Sequence, residues 1–262
     1  MDKKSLEKCY HNVLIYVTKK CNLRCPRCFL SDLSKKIRSY SMTREQFIRI
    51  IQRLNEQGIN VGWMHFTGGE PTLWPHLRWA IRYVKDNCNV KNIRVVTNAV
   101  DREVKDYGEA DTVHISHYGA LNRIDILRLR KQLGRKRCKI QYTVHLPWPY
   151  SINNPNALPA NCGCVNLAFV GNKVYQCGLA AARETDDWVN VEEPFYKILL
   201  SKNPHIQNLC KICISNRKNK MLNMTGLTVE LGIWDSPVSS LISFNSKAFW
   251  LRKIYNRLRS LR

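Results

Sequence analysis

Several absences narrow what this chain can be. It has no stretch of roughly 18 apolar residues, which excludes a transmembrane helix. Its first residues, Met-Asp-Lys-Lys-Ser-Leu-Glu-Lys, lack the apolar centre of a signal peptide, so the expected location is the cytoplasm. Acidic residues are scarce: 20 Asp and Glu stand against 42 Lys and Arg in 262 residues, a formal charge of +22. Such a balance favours a negatively charged partner, namely nucleic acid, a phosphorylated small molecule or an anionic membrane surface. It also simply solvates a surface. There is no arginine-rich low-complexity tract and no nucleic-acid-binding module to sharpen the choice.

Cysteine is plentiful, with 11 residues. In a chain without a secretory signal, metal binding in a reducing compartment accounts for them better than disulfides. Cys21-Asn-Leu-Arg-Cys25-Pro-Arg-Cys28 places three thiols in a C-x3-C-x2-C loop. An iron–sulfur cluster takes four ligands, so three leave one iron open to a non-protein ligand. A zinc knuckle with its fourth ligand elsewhere is the alternative. The x3 gap does not suit the paired C-x2-C units that zinc usually uses.

Val61 to Thr67 reads as a strand, and Gly68-Gly69-Glu70-Pro71 follows it directly. The glycines permit unusual backbone angles and a close approach. The Glu70 carboxylate can hold an ammonium group. Together with the cysteine loop, this motif resembles the radical S-adenosylmethionine (SAM) enzymes. The resemblance implies that Cys21, Cys25 and Cys28 bind a 4Fe–4S cluster whose open iron chelates SAM. It further implies that Gly68, Gly69, Glu70 and Pro71 lie at the SAM amino group. An electron from the cluster then cleaves SAM to methionine and a 5′-deoxyadenosyl radical, which takes hydrogen from a substrate. An electron donor such as flavodoxin or ferredoxin is implied as a partner. The position before the third cysteine, commonly aromatic in the family, is Arg27 here, with Phe29 just after it.

The first part of the chain alternates strand and helix. Strands are expected at 12–18, 61–67, 92–97, 111–116 and 139–145, and helices at 42–57, 73–86 and 122–133. Thr43 and Gln46 form a capping box and Gly58 closes that helix. Repeated strand–helix units imply a parallel sheet with right-handed crossovers. The family fold, an open partial β/α barrel, agrees, although five strands by residue 145 are one short of its usual six. Both motif loops leave the C-terminal ends of strands, where such folds place their sites. Strand ends also supply Thr97, Asn98, Ser116, His117 and His145. By the resemblance, Asn98 and Ser116 best match SAM-contacting positions. His65, His114 and His145 lie within strands and fit core histidines, while His117 and His145 suit a substrate-facing place better.

The second half has its own cysteine set: Cys162 and Cys164 before a hairpin at 165–176, Cys177 after it, and Cys210-Lys-Ile-Cys213. This resembles the twitch domain, the short form of the SPASM domain. It implies an auxiliary 4Fe–4S cluster on Cys177, Cys210, Cys213 and either Cys162 or Cys164. Zinc on the same thiols is the alternative. The remaining Cys9, Cys88 and Cys138 read as small buried hydrophobes.

The last sixteen residues, 247–262, carry six basic side chains and no acidic ones. Trp250, Leu251, Ile254, Leu258 and Leu261 fall near one helical face, which suits packing on the barrel or docking on an anionic surface. The expected organisation is therefore a radical SAM barrel at 1–150, a small α+β cysteine-rich twitch-like unit at 151–225 and a basic C-terminal segment at 226–262. The expected activity is hydrogen abstraction from a peptide or small polar substrate. An RNA-modifying radical SAM enzyme and a non-enzymatic zinc-binding module are the alternatives.

Overall fold

The computed structural model describes residues 11–23, 38–116, 122–141, 166–186 and 188–199. Cys25, Cys28, His117, His145, Cys162, Cys164, Cys210, Cys213 and the 226–262 segment lie outside the described residues.

Strand β1 spans His11–Thr18. Helix α1, Arg44–Glu56, follows, with Thr43 as N-cap. The Thr43 hydroxyl accepts from the Gln46 N–H while the Gln46 side chain accepts from the Thr43 N–H, satisfying two backbone donors left open at a helix start. Gly58, at φ +63, turns the chain after it. Next come β2, Val61–Gly68, helix α2, Leu77–Asn87, and β3, Val90–Thr97. A 3-10 turn at Val104–Tyr107 leads to β4, Thr112–Ser116. Helix α3, Arg123–Arg137, is interrupted by Gly134 at φ +73 and runs into β5, Cys138–Gln141.

α2 begins later than its apolar spacing predicts. Pro71–Leu73 forms a 3-10 turn, and Trp74 is extended at φ −85, ψ 117. The reason is Pro75, which disfavours the helical region for the residue before it. Trp74 is instead buried, and its indole N–H donates to the Met42 carbonyl at 2.7 Å.

The sheet has eight strands in the order β5-β4-β3-β2-β1-β6-β7-β8. β1 to β5 are parallel neighbours, as the strand–helix alternation requires. The sixth parallel strand comes from the hairpin: β6, Asn166–Val170, pairs with the free side of β1. The cysteine-flanked hairpin thus continues the sheet that carries the Cys21 loop. β7, Lys173–Tyr175, and β8, Val189–Asn190, add antiparallel strands. Between them lies α4, Gly178–Arg183; α5, Tyr196–Leu199, ends the described chain.

Successive strand residues alternate between faces. Val13, Ile15, Val17, Met64, Phe66, Ile93, Val95, Val113 and Ile115 share one core with Phe47, Ile50, Ile51 and Leu54 of α1, Leu77, Ala80, Ile81 and Val84 of α2, and Ile126, Leu129 and Leu133 of α3. Trp63, His65, Arg94 and His114 take the alternate positions, on the face away from these helices. Cys138 is buried and Cys88 packs against the core, as expected for free thiols of hydrophobic character.

Candidate active site

The glycine pair sits where two backbones nearly touch. A Cβ on Gly68 would fall 1.9 Å from the Thr18 carbonyl oxygen, and one on Gly69 would fall 2.1 Å from that of Lys20. Gly68 also has φ +138, which side-chain-bearing residues rarely adopt. With no side chains there, Gly69 N–H donates to Thr18 O and Glu70 N–H to Lys20 O, both at 2.8 Å. The glycine motif thereby grips the backbone that enters the cysteine loop.

Glu70 is 0% exposed. One carboxylate oxygen accepts from Thr72 N–H at 3.2 Å, Thr72 Oγ1 at 2.7 Å and Thr97 Oγ1 at 2.8 Å. The other accepts from Asn98 N–H at 2.8 Å. Burial pushes this carboxyl above the ordinary carboxylate range, and the four donors oppose that shift. The carboxylate therefore clamps the ends of β2 and β3 together.

From Asn98 the network reaches the first cysteine. Its amide nitrogen lies 2.8 Å from Asn22 Oδ1 and 3.7 Å from Cys21 Sγ. Its own oxygen accepts from Val100 N–H. Leu23 N–H also points at Cys21 Sγ, at 3.4 Å. Two N–H donors aimed at one half-exposed sulfur suit a thiolate that ligates iron, because hydrogen bonds to the sulfur are part of how iron–sulfur sites are tuned. Cys21 thus fits a cluster ligand on its own surroundings. Buried Asn122 completes the floor, donating to Asn98 O at 2.6 Å and to Ser116 O at 2.7 Å. The ends of β2, β3 and β4 and the Cys21 loop form one hydrogen-bonded unit. Gly68, Gly69, Glu70, Pro71, Asn98 and Ser116 all belong to this unit or adjoin it.

Sequence reasoning missed the residues that tie the two cysteine segments together. Lys19, two residues before Cys21, is fully buried and ion-paired with Glu184. Glu184 also lies 3.5 Å from Lys173 Nζ. It caps α4 in a left-handed conformation, and Cys177 is the N-cap residue of that same helix. Tyr16 donates to Gly178 O at 2.7 Å. Nothing in a one-dimensional sequence pairs residues 19 and 184. Among the described residues, Cys177 is half-buried, and no group of three metal-ligating side chains comes together.

This geometry agrees with what comparison with known proteins finds. The model of the radical SAM superfamily matches residues 15–144. The chain belongs to the radical SAM superfamily. Among curated relatives, GTP 3′,8-cyclase of Chlorobaculum tepidum is 32% identical over 108 residues, 40% of this chain and 32% of that protein. The chain thus matches only about a third of that relative's length. Among solved structures, BtrN in complex with AdoMet and 2-DOIA aligns with a TM-score of 0.59 at 17% identity, over 81% of this chain and 90% of that one. The anSMEcpe protein with bound AdoMet and Kp18Cys peptide aligns with a TM-score of 0.53 at 16% identity, over 80% and 84% of the two chains. At those identities the likeness is one of fold. The chain's fold is an open, mostly parallel α/β sheet, and the antiparallel strands at its β6 side resemble a twitch domain. No helix among the described residues is long and apolar enough to cross a membrane.

Proposed function

We propose that this chain is a radical SAM enzyme acting on a peptide or small polar substrate. In this reading Cys21, Cys25 and Cys28 hold a 4Fe–4S cluster, and SAM lies over Gly68, Gly69, Glu70, Pro71, Asn98 and Ser116. Glu70 keeps those strand ends in register. With both groups bound, the chemistry supplied is reductive cleavage of SAM to methionine and a 5′-deoxyadenosyl radical that takes a hydrogen atom from the substrate. The protein's own part is to position and shield it. The observation that carries the reading is the single network joining Cys21, Asn98 and Glu70 across two motifs.

Residues 151–225 form a twitch-like unit in this proposal, with Cys177, Cys210, Cys213 and one of Cys162 and Cys164 around an auxiliary 4Fe–4S cluster. That cluster accepts the substrate electron or anchors the substrate. Residues 226–262 form a basic C-terminal segment, and a flavodoxin or ferredoxin supplies the electron. The relatives' names are compatible with this range: 2-DOIA is a small molecule and Kp18Cys a peptide. The charge of +22 favours RNA as the second reading, distinguished by a complex whose affinity falls steeply with salt.

The test is anaerobic. Reconstituted wild-type protein with dithionite is expected to convert SAM to 5′-deoxyadenosine, and the Cys21→Ala/Cys25→Ala/Cys28→Ala variant to form none. Wild-type protein that carries its iron yet leaves SAM intact contradicts the proposal.

A further inference from the structure

The face of β2, β3 and β4 turned away from the helices carries a polar cluster around one cation that the SAM-binding reading leaves without a task. Arg94 stands at its centre. Its guanidinium lies 4.2 Å from the centroid of the Trp63 ring, and its buried Nε–H has no hydrogen-bond partner. No carboxylate pairs with it among the described residues, whereas buried Lys19 has Glu184 and half-buried Arg53 has Glu56. Stacking on an indole compensates the charge in part. It leaves the Nε–H without an acceptor, and a buried donor without an acceptor is costly enough to call for an explanation.

Two histidines flank the arginine. His65 is the direct cross-strand partner of Arg94, and His114 stands on β4, close enough for Arg94 to influence both rings. Burial and the Arg94 charge hold His65 down at about 4 and shift His114 the same way. Both are therefore neutral near pH 7, and each offers one N–H and one acceptor nitrogen. The cluster holds one fixed positive charge with planar donors, neutral donors beside it and an aromatic floor.

A guanidinium fork matches the two oxygens of a carboxylate or phosphate. We propose that Trp63, His65, Arg94 and His114 seat an anionic group, carboxylate or phosphate, on the enzyme's substrate. This inference rests on the radical SAM reading for what happens at the substrate's other end. Thr67 and Ser116 follow His65 and His114 by two residues on the same face, which at the strand rise is about 7 Å toward the motif loops. A substrate anchored at Arg94 by its anion presents a carbon several bonds away to the SAM end of the site. Anion and reacting carbon are thus separate parts of the molecule.

The full-length protein is titrated calorimetrically with inorganic pyrophosphate and, separately, with succinate, at about 0.15 M salt. One saturable site is expected for at least one probe, and the preferred probe tells phosphate from carboxylate. Arg94→Gln is expected to weaken that site at least tenfold. Lys131→Gln, an exposed cation on α3, is expected to leave it unchanged. In wild-type protein with nitrogen-labelled histidine, the same probe is expected to move the ring resonances of His65 and His114, so the test survives if an Arg94 variant misfolds. Failure of both probes to saturate, equal losses in the two variants, or unmoved histidine resonances would each overturn the site. SAM cleavage is assayed on the same preparation. A saturable anion site in protein that cannot cleave SAM sinks the radical reading alone, and cleavage without any anion site sinks this inference alone.

Discussion

Glu70→Gln keeps the shape of the side chain and removes its charge, so it isolates what the buried carboxylate does. In the native protein one oxygen accepts from Thr72 N–H, Thr72 Oγ1 and Thr97 Oγ1, and the other from Asn98 N–H. A glutamine has only one acceptor oxygen. If that oxygen takes the three-donor side, its NH₂ faces the Asn98 N–H, and stranding that buried donor costs about 1–3 kcal/mol. The other three bonds lose charge assistance, which lowers each from about 1.5–3 kcal/mol toward about 1. The opposite flip strands more donors and is worse. Relief of carboxylate desolvation returns part of the loss, so the expected net destabilisation is about 2–4 kcal/mol. Urea unfolding of the cluster-free full chain, followed by far-ultraviolet circular dichroism, measures it. A residue serving only to bind SAM leaves that stability untouched. A Glu70→Gln protein within about 0.5 kcal/mol of wild type would therefore refute the clamp, because surface-like substitutions fall in that range.

Other outcomes follow from the same geometry. Gly69→Ala puts a methyl 2.1 Å from the Lys20 carbonyl oxygen. Backbone cannot swing aside there, so a loss of at least about 3 kcal/mol and poor retention of iron on reconstitution are expected; unchanged iron content would argue against the grip on the cysteine loop. Among the described residues, Lys19→Met leaves Glu184 with only Lys173 as a partner; because Glu184 is partly exposed, the expected cost is about 2 kcal/mol rather than the full value for a buried pair. A double-mutant cycle with Glu184→Gln should show coupling, and additive losses would remove the bridge between the two segments. His65 is held at about 4 against an ordinary 6.5. The unfolded chain takes up this proton below pH 6.5 and the folded one does not until about 4, so folding stability falls as pH drops through that window, by up to about 3 kcal/mol. His65→Asn should flatten the pH dependence of unfolding there, and an unaltered slope would mean the ring is not held neutral.

Much of the fold can be read from local pattern. Period-two runs at 12–18 and 61–67 and period-3.6 runs at 42–57 have cores that face one way, so burial alone fixes them. Thr43 and Gln46 act within one turn, which is why their capping box is legible. Pro75 marks the late start of α2, but its effect falls on Trp74, whose apolar character fits a helix face equally well. The pairing of β6 with β1 is not local: some 150 residues separate the partners, and hairpin patterning says nothing about which edge it joins.

The site divides along the same line. Cysteine spacing and the Gly-Gly-Glu-Pro run are short motifs and readable as such. Glu70 draws its donors from Thr97 and Asn98, 27 and 28 residues away, so its clamping role is visible only once β2 and β3 are adjacent. His65 and His114 look like core residues because each sits mid-strand. Their common face with Arg94 depends on the register of three strands, which no single strand specifies.

The most direct test of the central claim is the iron and sulfide content of anaerobically reconstituted protein, wild type beside Cys21→Ala/Cys25→Ala/Cys28→Ala. Two 4Fe–4S clusters predict about eight irons per chain, falling to about four in the triple variant. Four irons lost completely would leave the Cys21 cluster alone and remove the auxiliary one. Zinc in place of iron, persisting through anaerobic reconstitution, would contradict the account.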